Sequence, residues 1–149
     1  MMKTILFAFL FSGSVILGAH AQDIKEKEVP QAVTSALAQK YAGATNAEWE
    51  KEGDNYEAEF RVERTEHTVL LNPSGEVLVA KSDVPLNDLP QPIKSALDQK
   101  YKGMPVDDTE QLEKEGKTFY QLEVEENGTD RRLVFSADGQ EVTVPAYWD

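Results

Sequence analysis

The chain has 149 residues, with 15 Lys and Arg against 27 Asp and Glu, a formal net charge of −12 and no cysteine. So acidic a balance excludes nucleic acid as a partner, because phosphate binding needs a basic surface, while a hydrophobic content of 40% suffices to build a core. The absence of cysteine removes disulfides, thiolate metal sites, cysteine nucleophiles and lipid attachment through an N-terminal cysteine.

Met1-Met2-Lys3 gives a positive start, and residues 4–18 form an apolar run too short to span a bilayer comfortably. The run ends in Ala19-His20-Ala21, a small-x-small cleavage pattern. Residues 1–21 are therefore expected to be a cleaved signal peptide, with Gln22 as the mature N-terminus and no membrane span in the mature chain. Cleavage removes one base, Lys3, so 14 of the 15 bases remain against the 27 acids. A cysteine-free exported protein suits a bacterial periplasm or secreted location, where disulfides are optional.

The remainder reads as an internal repeat, residues 22–88 and then 89–149. Pro30-Gln31 matches Pro90-Gln91, Ser35-Ala36-Leu37 matches Ser95-Ala96-Leu97, Gln39-Lys40-Tyr41 matches Gln99-Lys100-Tyr101, and Gly43 matches Gly103, all at an offset of 60. Further on the offset becomes 64, pairing Tyr56 with Tyr120, Ala58 with Leu122, Phe60 with Val124 and Gly75 with Gly139. Extra residues near Glu110 to Lys114 explain the slip, since a surface turn tolerates insertion best. Two such copies make either two small modules or one fused sheet.

Each repeat opens with a predicted helix. Pro30 and Pro90 suit its first position, and Gly43 and Gly103 sit where a left-handed residue ends it. Val33, Ala36, Leu37 and Tyr41, mirrored by Ile93, Ala96, Leu97 and Tyr101, recur at helical spacing and form a core stripe. Strands follow. Tyr56, Ala58, Phe60 and Val62 alternate with Glu57, Glu59, Arg61 and Glu63, and Tyr120, Leu122 and Val124 alternate with Gln121, Glu123 and Glu125, a sheet buried on one face and wet on the other. Turns are predicted at Gly53-Asp54-Asn55, at Glu115-Gly116-Lys117, at Asn72-Pro73-Ser74-Gly75 and at Ser136-Ala137-Asp138-Gly139. The fold class is α+β, helix then about four antiparallel strands, twice, with Lys81 to Leu89 joining the copies.

The pattern Val-Pro-x-x-Val-x-x-Ala-Leu-x-x-Lys-Tyr-x-Gly-Ala over residues 29–44, then Trp49-Glu50-Lys51-Glu52-Gly53-x-x-Tyr56-Glu57-Ala58-Glu59-Phe60 and Asn72-Pro73-Ser74-Gly75-Glu76-Val77-Leu78, resembles the PepSY-like, beta-lactamase-inhibitor-like family of periplasmic proteins. The resemblance covers nearly all of the mature chain, once per repeat. It implies a tandem helix-plus-sheet fold with helices on one face, an envelope location, and a role in binding or inhibiting another protein. The second copy departs from the pattern, with Thr109 in the place of Trp49 and Met104-Pro105 in that of Ala44-Thr45.

The residues add a distribution of charge. Glu48, Glu50, Glu52, Asp54, Glu57, Glu59, Glu63 and Glu66 stand against Lys51, Arg61 and Arg64 in one segment, and Asp107, Asp108, Glu110, Glu113, Glu115, Glu123, Glu125 and Glu126 against Lys114 and Lys117 in its counterpart. If the helices cover one face of the sheet, the other is the acidic surface. The expected function is an exported, non-enzymatic module that binds a protein or peptide with a basic surface. Trp49, Phe119, Tyr147 and Trp148 are candidate aromatic anchors, with Glu57, Glu59, Arg61 and Glu123 supplying the charged contacts. Phe119 should point outward because Tyr120 takes the inward position. The competing expectation is a structural or sensing envelope protein whose glutamates only keep it soluble and whose aromatics close the core. His67, the only histidine outside the signal segment, lacks a Gly-x-Ser-x-Gly turn to serve, and the alternating carboxylates suggest surface patterning rather than a converging acid-base pair. No catalytic residue or cofactor is expected. Asp107-Asp108 and the acidic turn over residues 125–130 lack the spacing of a preformed calcium loop.

Overall fold

A computed structural model describes residues 21–143. The signal-peptide expectation falls, apart from Ala21, outside the described residues, as do Tyr147 and Trp148. The elements run β1 (Gln22–Ile24), α1 (Gln31–Lys40), β2 (Thr45–Glu52), β3 (Asn55–Val62), β4 (Thr65–Leu71), β5 (Val77–Asp83), α2 (Gln91–Lys100), β6 (Val106–Lys114), β7 (Lys117–Glu126) and β8 (Thr129–Ser136), with a short 3₁₀ turn before each helix. All eight strands pair antiparallel with their sequence neighbours in a single sheet.

Of the two arrangements left open by the repeat, the chain therefore adopts the fused sheet. The joint is the β5–β6 ladder, Val79↔Lys114 to Asp83↔Glu110. Pairing there removes the two edges that separate modules would expose. It also corrects the connector: Lys81 to Asp83 belong to β5, and the link begins after them. The repeats differ in strand content. Four strands follow α1, whereas three follow α2, joined by a single bridge between Phe135 and Glu141. β1 precedes both and had no signal in the sequence.

The slip from 60 to 64 has a simple origin. Glu52↔Asn55 closes the β2–β3 hairpin around Gly53-Asp54, while Leu112↔Phe119, its counterpart, is followed by the additional pairs Glu113↔Thr118 and Lys114↔Lys117. Two extra rungs lengthen the second hairpin without disturbing the register behind it.

Both helices begin one residue later than predicted. Pro30 and Pro90 are the cap residues, with ψ near 140°, and the Pro30 carbonyl accepts the Val33 and Thr34 amides. α1 buries Val33 and Leu37 against Trp49, Ala58, Phe60, Val69 and Leu71, and α2 buries Ile93 and Leu97 against Leu122, Val124, Leu133 and Phe135. Each such side chain contributes about 1.5–3 kcal/mol on burial. The β4–β5 turn docks on the first turn of α1: a Cβ on Gly75, which has φ +88°, would lie 2.6 Å from the Ala32 carbonyl oxygen. Gly139 meets Pro92 of α2 in the same way, so both glycines are required by close approach as well as by the positive φ.

Candidate functional site

Side chains alternate sides along a strand, and directly paired residues share a side. Trp49, Ala58 and Val69 form one such row and pack with α1. The side of β2–β4 away from α1 then carries Glu48, Glu50, Glu52, Glu57, Glu59 and Glu66, with Arg61 as the base among them. Glu48 stands directly opposite Glu59, Glu50 opposite Glu57, and Asp23 of β1 opposite Glu50. Like charges in direct cross-strand register destabilise a sheet, so the fold retains this ladder of carboxylates at a cost.

The electrostatics follow. Partial burial, then the charges and hydrogen bond of Glu66 and the charge of Glu48, hold the Glu59 carboxyl above its ordinary range. Glu66 is shifted the other way, first by the hydrogen bond from Arg61, whose Nη2 lies 2.8 Å from its Oε2. Asp83 is raised by burial and then by Glu66.

The side of β6–β8 away from α2 has a different character. Leu112 and Val134 are buried there beside Gln121, with Val79 of β5 on the same row system. Gln121, predicted as a wet position, is fully buried, and its Nε2 donates to Glu110 Oε2 at 3.2 Å. Lys81 pairs with Glu110 at 2.8 Å, and Arg132 with Glu123 at 2.6 Å. Phe119, opposite Leu112 and Ser136, lies half-buried on this side, the one that alternation against Tyr120 assigns it.

Among the predicted site residues, Glu57, Glu59 and Arg61 share one surface, while Phe119 and Glu123 lie on the apolar and ion-paired half of the sheet. Trp49 is corrected: only 4% exposed, it is a core residue under α1 and offers no anchor, and its indole Nε1 has no hydrogen-bond partner. The cause is its place between Glu48 and Glu50 in β2, where the inward position falls to the tryptophan. Glu48 and Glu50 join Glu57 and Glu59 on this surface, a placement that emerges only from register. His67 stacks on Phe60 at 5.4 Å between centroids, and burial lowers its pKa. Among the described residues no three or more His, Cys, Asp or Glu side chains are gathered as metal ligands, and no helix is long and apolar enough to cross a membrane.

Comparison with solved structures agrees on the fold. A "putative periplasmic" protein from Bacteroides eggerthii DSM 20697 aligns over 76% of this chain and 86% of its own, at 18% identity and a TM-score of 0.71. A BLIP-like protein from Bacteroides fragilis NCTC 9343 aligns over 80% and 92%, at 27% identity and a TM-score of 0.69. No curated protein matches the chain. The family model described as "Putative beta-lactamase-inhibitor-like, PepSY-like" matches twice, over residues 15–78 and 67–141, two segments that overlap over residues 67–78. The chain belongs to this PepSY-like, beta-lactamase-inhibitor-like family.

Proposed function

We propose that the protein is an exported, non-enzymatic binding module of the bacterial envelope that holds a basic protein or peptide on an acidic sheet surface. Two helix-led repeats, residues 22–88 and 89–149, share one sheet with both helices on the same side, leaving the other side free for a partner. The observation that carries the proposal is the pair of directly opposed glutamates, Glu48 with Glu59 and Glu50 with Glu57. A sheet that needed only solubility would gain it from alternating signs, which also stabilise cross-strand pairs. Matched negative charges are stabilised by a cation placed between them, so they favour a complex with a basic surface over the free protein.

Phe119 offers an apolar contact farther along the same side of the sheet, on β7, and aromatic side chains carry much of the energy of an interface. The envelope location rests on the signal pattern over residues 1–21 and on the periplasmic description of a structural relative. Inhibition, which the family description names, would follow wherever the bound basic surface is one the partner needs for its own activity.

The test is amide shift mapping by NMR with a peptide of alternating lysine and valine. Shifts concentrated on residues 48–50, 57–59 and 119 are expected. Shifts confined to the helices, or none at concentrations where an alternating glutamate and valine peptide is equally silent, contradict the proposal.

A further inference from the structure

At the joint between the repeats the inward side of the sheet turns polar. Ala80 pairs with Glu113, and Ser82 with Gln111 and with His67, where the equivalent rows within each repeat are apolar. A cleft of about 300 Å³ opens there beside the C-terminal end of α1, lined by Lys40, Tyr41, His67, Ser82, Gln111 and Glu113 among others. One wall is aromatic. The Tyr41 ring lies 5.7 Å from that of His67 and 4.9 Å from Phe60, and His67 and Phe60 are stacked within 9° of parallel.

The lining also holds unspent hydrogen-bonding capacity. Among the described residues the Tyr41 hydroxyl, the His67 imidazole and the Ser82 hydroxyl make no side-chain hydrogen bond, and Gln111 accepts only a 3.5 Å contact from the Tyr120 hydroxyl, leaving its amide nitrogen as a donor. Half-open clefts that combine an apolar wall with a few convergent polar groups are the usual form of small-ligand sites.

The chemistry of the lining selects the ligand. Burial lowers the pKa of His67, outweighing the charge of Asp83, so its imidazole is neutral at neutral pH and offers one donor and one acceptor. Tyr41 is raised, first by burial and then by Glu113, so its hydroxyl stays protonated. Lys40 and Glu113 set one charge of each sign on the lining, and Lys81, which also borders the cleft, is ion-paired with Glu110. A free anion is disfavoured by Glu113 and by the acidity of the chain, and a free cation by Lys40. What remains is a neutral ring with an apolar face and several hydroxyl groups.

The geometry points to a binding site for a neutral sugar ring between the repeats, its C–H face on Tyr41 and His67 and its hydroxyls on Ser82 and Gln111. This site lies on the side of the sheet away from the glutamate ladder, so a sugar bound here does not occupy the protein-binding surface.

The test titrates the full mature chain, by amide NMR, with the methyl glycosides of glucose, galactose and N-acetylglucosamine, and separately with inorganic phosphate. Saturable shifts at residues 41, 67, 82 and 111 are expected with at least one glycoside and none with phosphate. Gln111→Ala and Ser82→Ala should each weaken that glycoside about fivefold, the range of one lost hydrogen bond. Far-ultraviolet circular dichroism confirms that both variants are folded. Absence of saturable shifts with all three glycosides, equal response to phosphate, or unchanged affinity in both folded variants overturns the inference.

Discussion

Neutralising one member of an opposed glutamate pair should stabilise the protein. Glu48 and Glu59 are both exposed and directly paired across β2 and β3. Cross-strand geometry puts their carboxylates roughly 6 Å apart, where two unit charges in water repel by about 0.7 kcal/mol, within the measured range of about 0.2–1 kcal/mol for such pairs. Screening reduces this to about 0.3 kcal/mol at a Debye length of about 8 Å and to about 0.1 kcal/mol at about 3 Å, the lengths for 0.15 M and 1 M salt. Glu48→Gln and Glu59→Gln should each raise the midpoint of urea unfolding at pH 7 and low salt. The double variant should gain less than the two single gains together, because both remove the same repulsion. Glu59→Gln should gain more than Glu48→Gln, since Glu59 also faces Glu66. In 1 M NaCl the gains should nearly vanish. Single variants that destabilise, or gains that persist undiminished in 1 M NaCl, would refute the ladder as a source of strain.

Acid should narrow the gap between wild type and Glu59→Gln. The folded pKa of Glu59 is raised, so its stabilising share is fully present below the unfolded value near 4.5 and is lost as pH rises through the folded value. Glu66, whose pKa is lowered, runs the other way: its contribution is present above 4.5 and lost as pH falls below it, so Glu66→Gln should cost stability at pH 7 and little in stronger acid. Gly75→Ala should cost about 2–4 kcal/mol in urea unfolding, from positive-φ strain plus displacement of α1, while Gly116→Ala, with φ +72° and open space at its Cβ, should cost only about 1 kcal/mol of strain. Equal costs would show that the turn does not bear on the helix. Trp49→Ala should cost about 3–5 kcal/mol and Trp49→Phe under about 1.5 kcal/mol, because phenylalanine fills most of the site and removes a buried N–H without a partner. A phenylalanine variant as unstable as the alanine one would mean that the indole makes an essential contact.

Much of this architecture is legible in the sequence because the repeat shows each element twice. Pro30 and Pro90, Gly43 and Gly103, and the paired stripes from Val33 and Ile93 bound the helices to within a residue. The change of offset locates the lengthened hairpin, since strands can gain length only in pairs without shifting the face they bury. The place of Trp49 turns on one assignment. Ala47 and Trp49 alternate with Glu48 and Glu50, and reading residues 45–52 as a strand places the ring inside. The opposition of Glu48 to Glu59 is harder, because it depends on a register set by the two-residue turn at Gly53-Asp54 and carried unbroken as far as Glu48, before the bulge toward Thr45. Composition shows that the segment is acidic, but only pairing shows which acids meet. Gln121 had no signal at all: its burial depends on Leu112 and Val134 reaching it from neighbouring strands.

Binding of a cationic partner by the glutamate ladder can be measured with a single peptide. Isothermal titration of the alternating lysine and valine peptide into wild type, and into the variant carrying Glu48→Gln, Glu50→Gln, Glu57→Gln and Glu59→Gln, tests it most directly. Binding by the wild type should weaken steeply with salt, and the variant, more stable than the wild type, should bind at least tenfold more weakly. Equal affinity in the two proteins, with the same salt dependence, would contradict binding by the ladder.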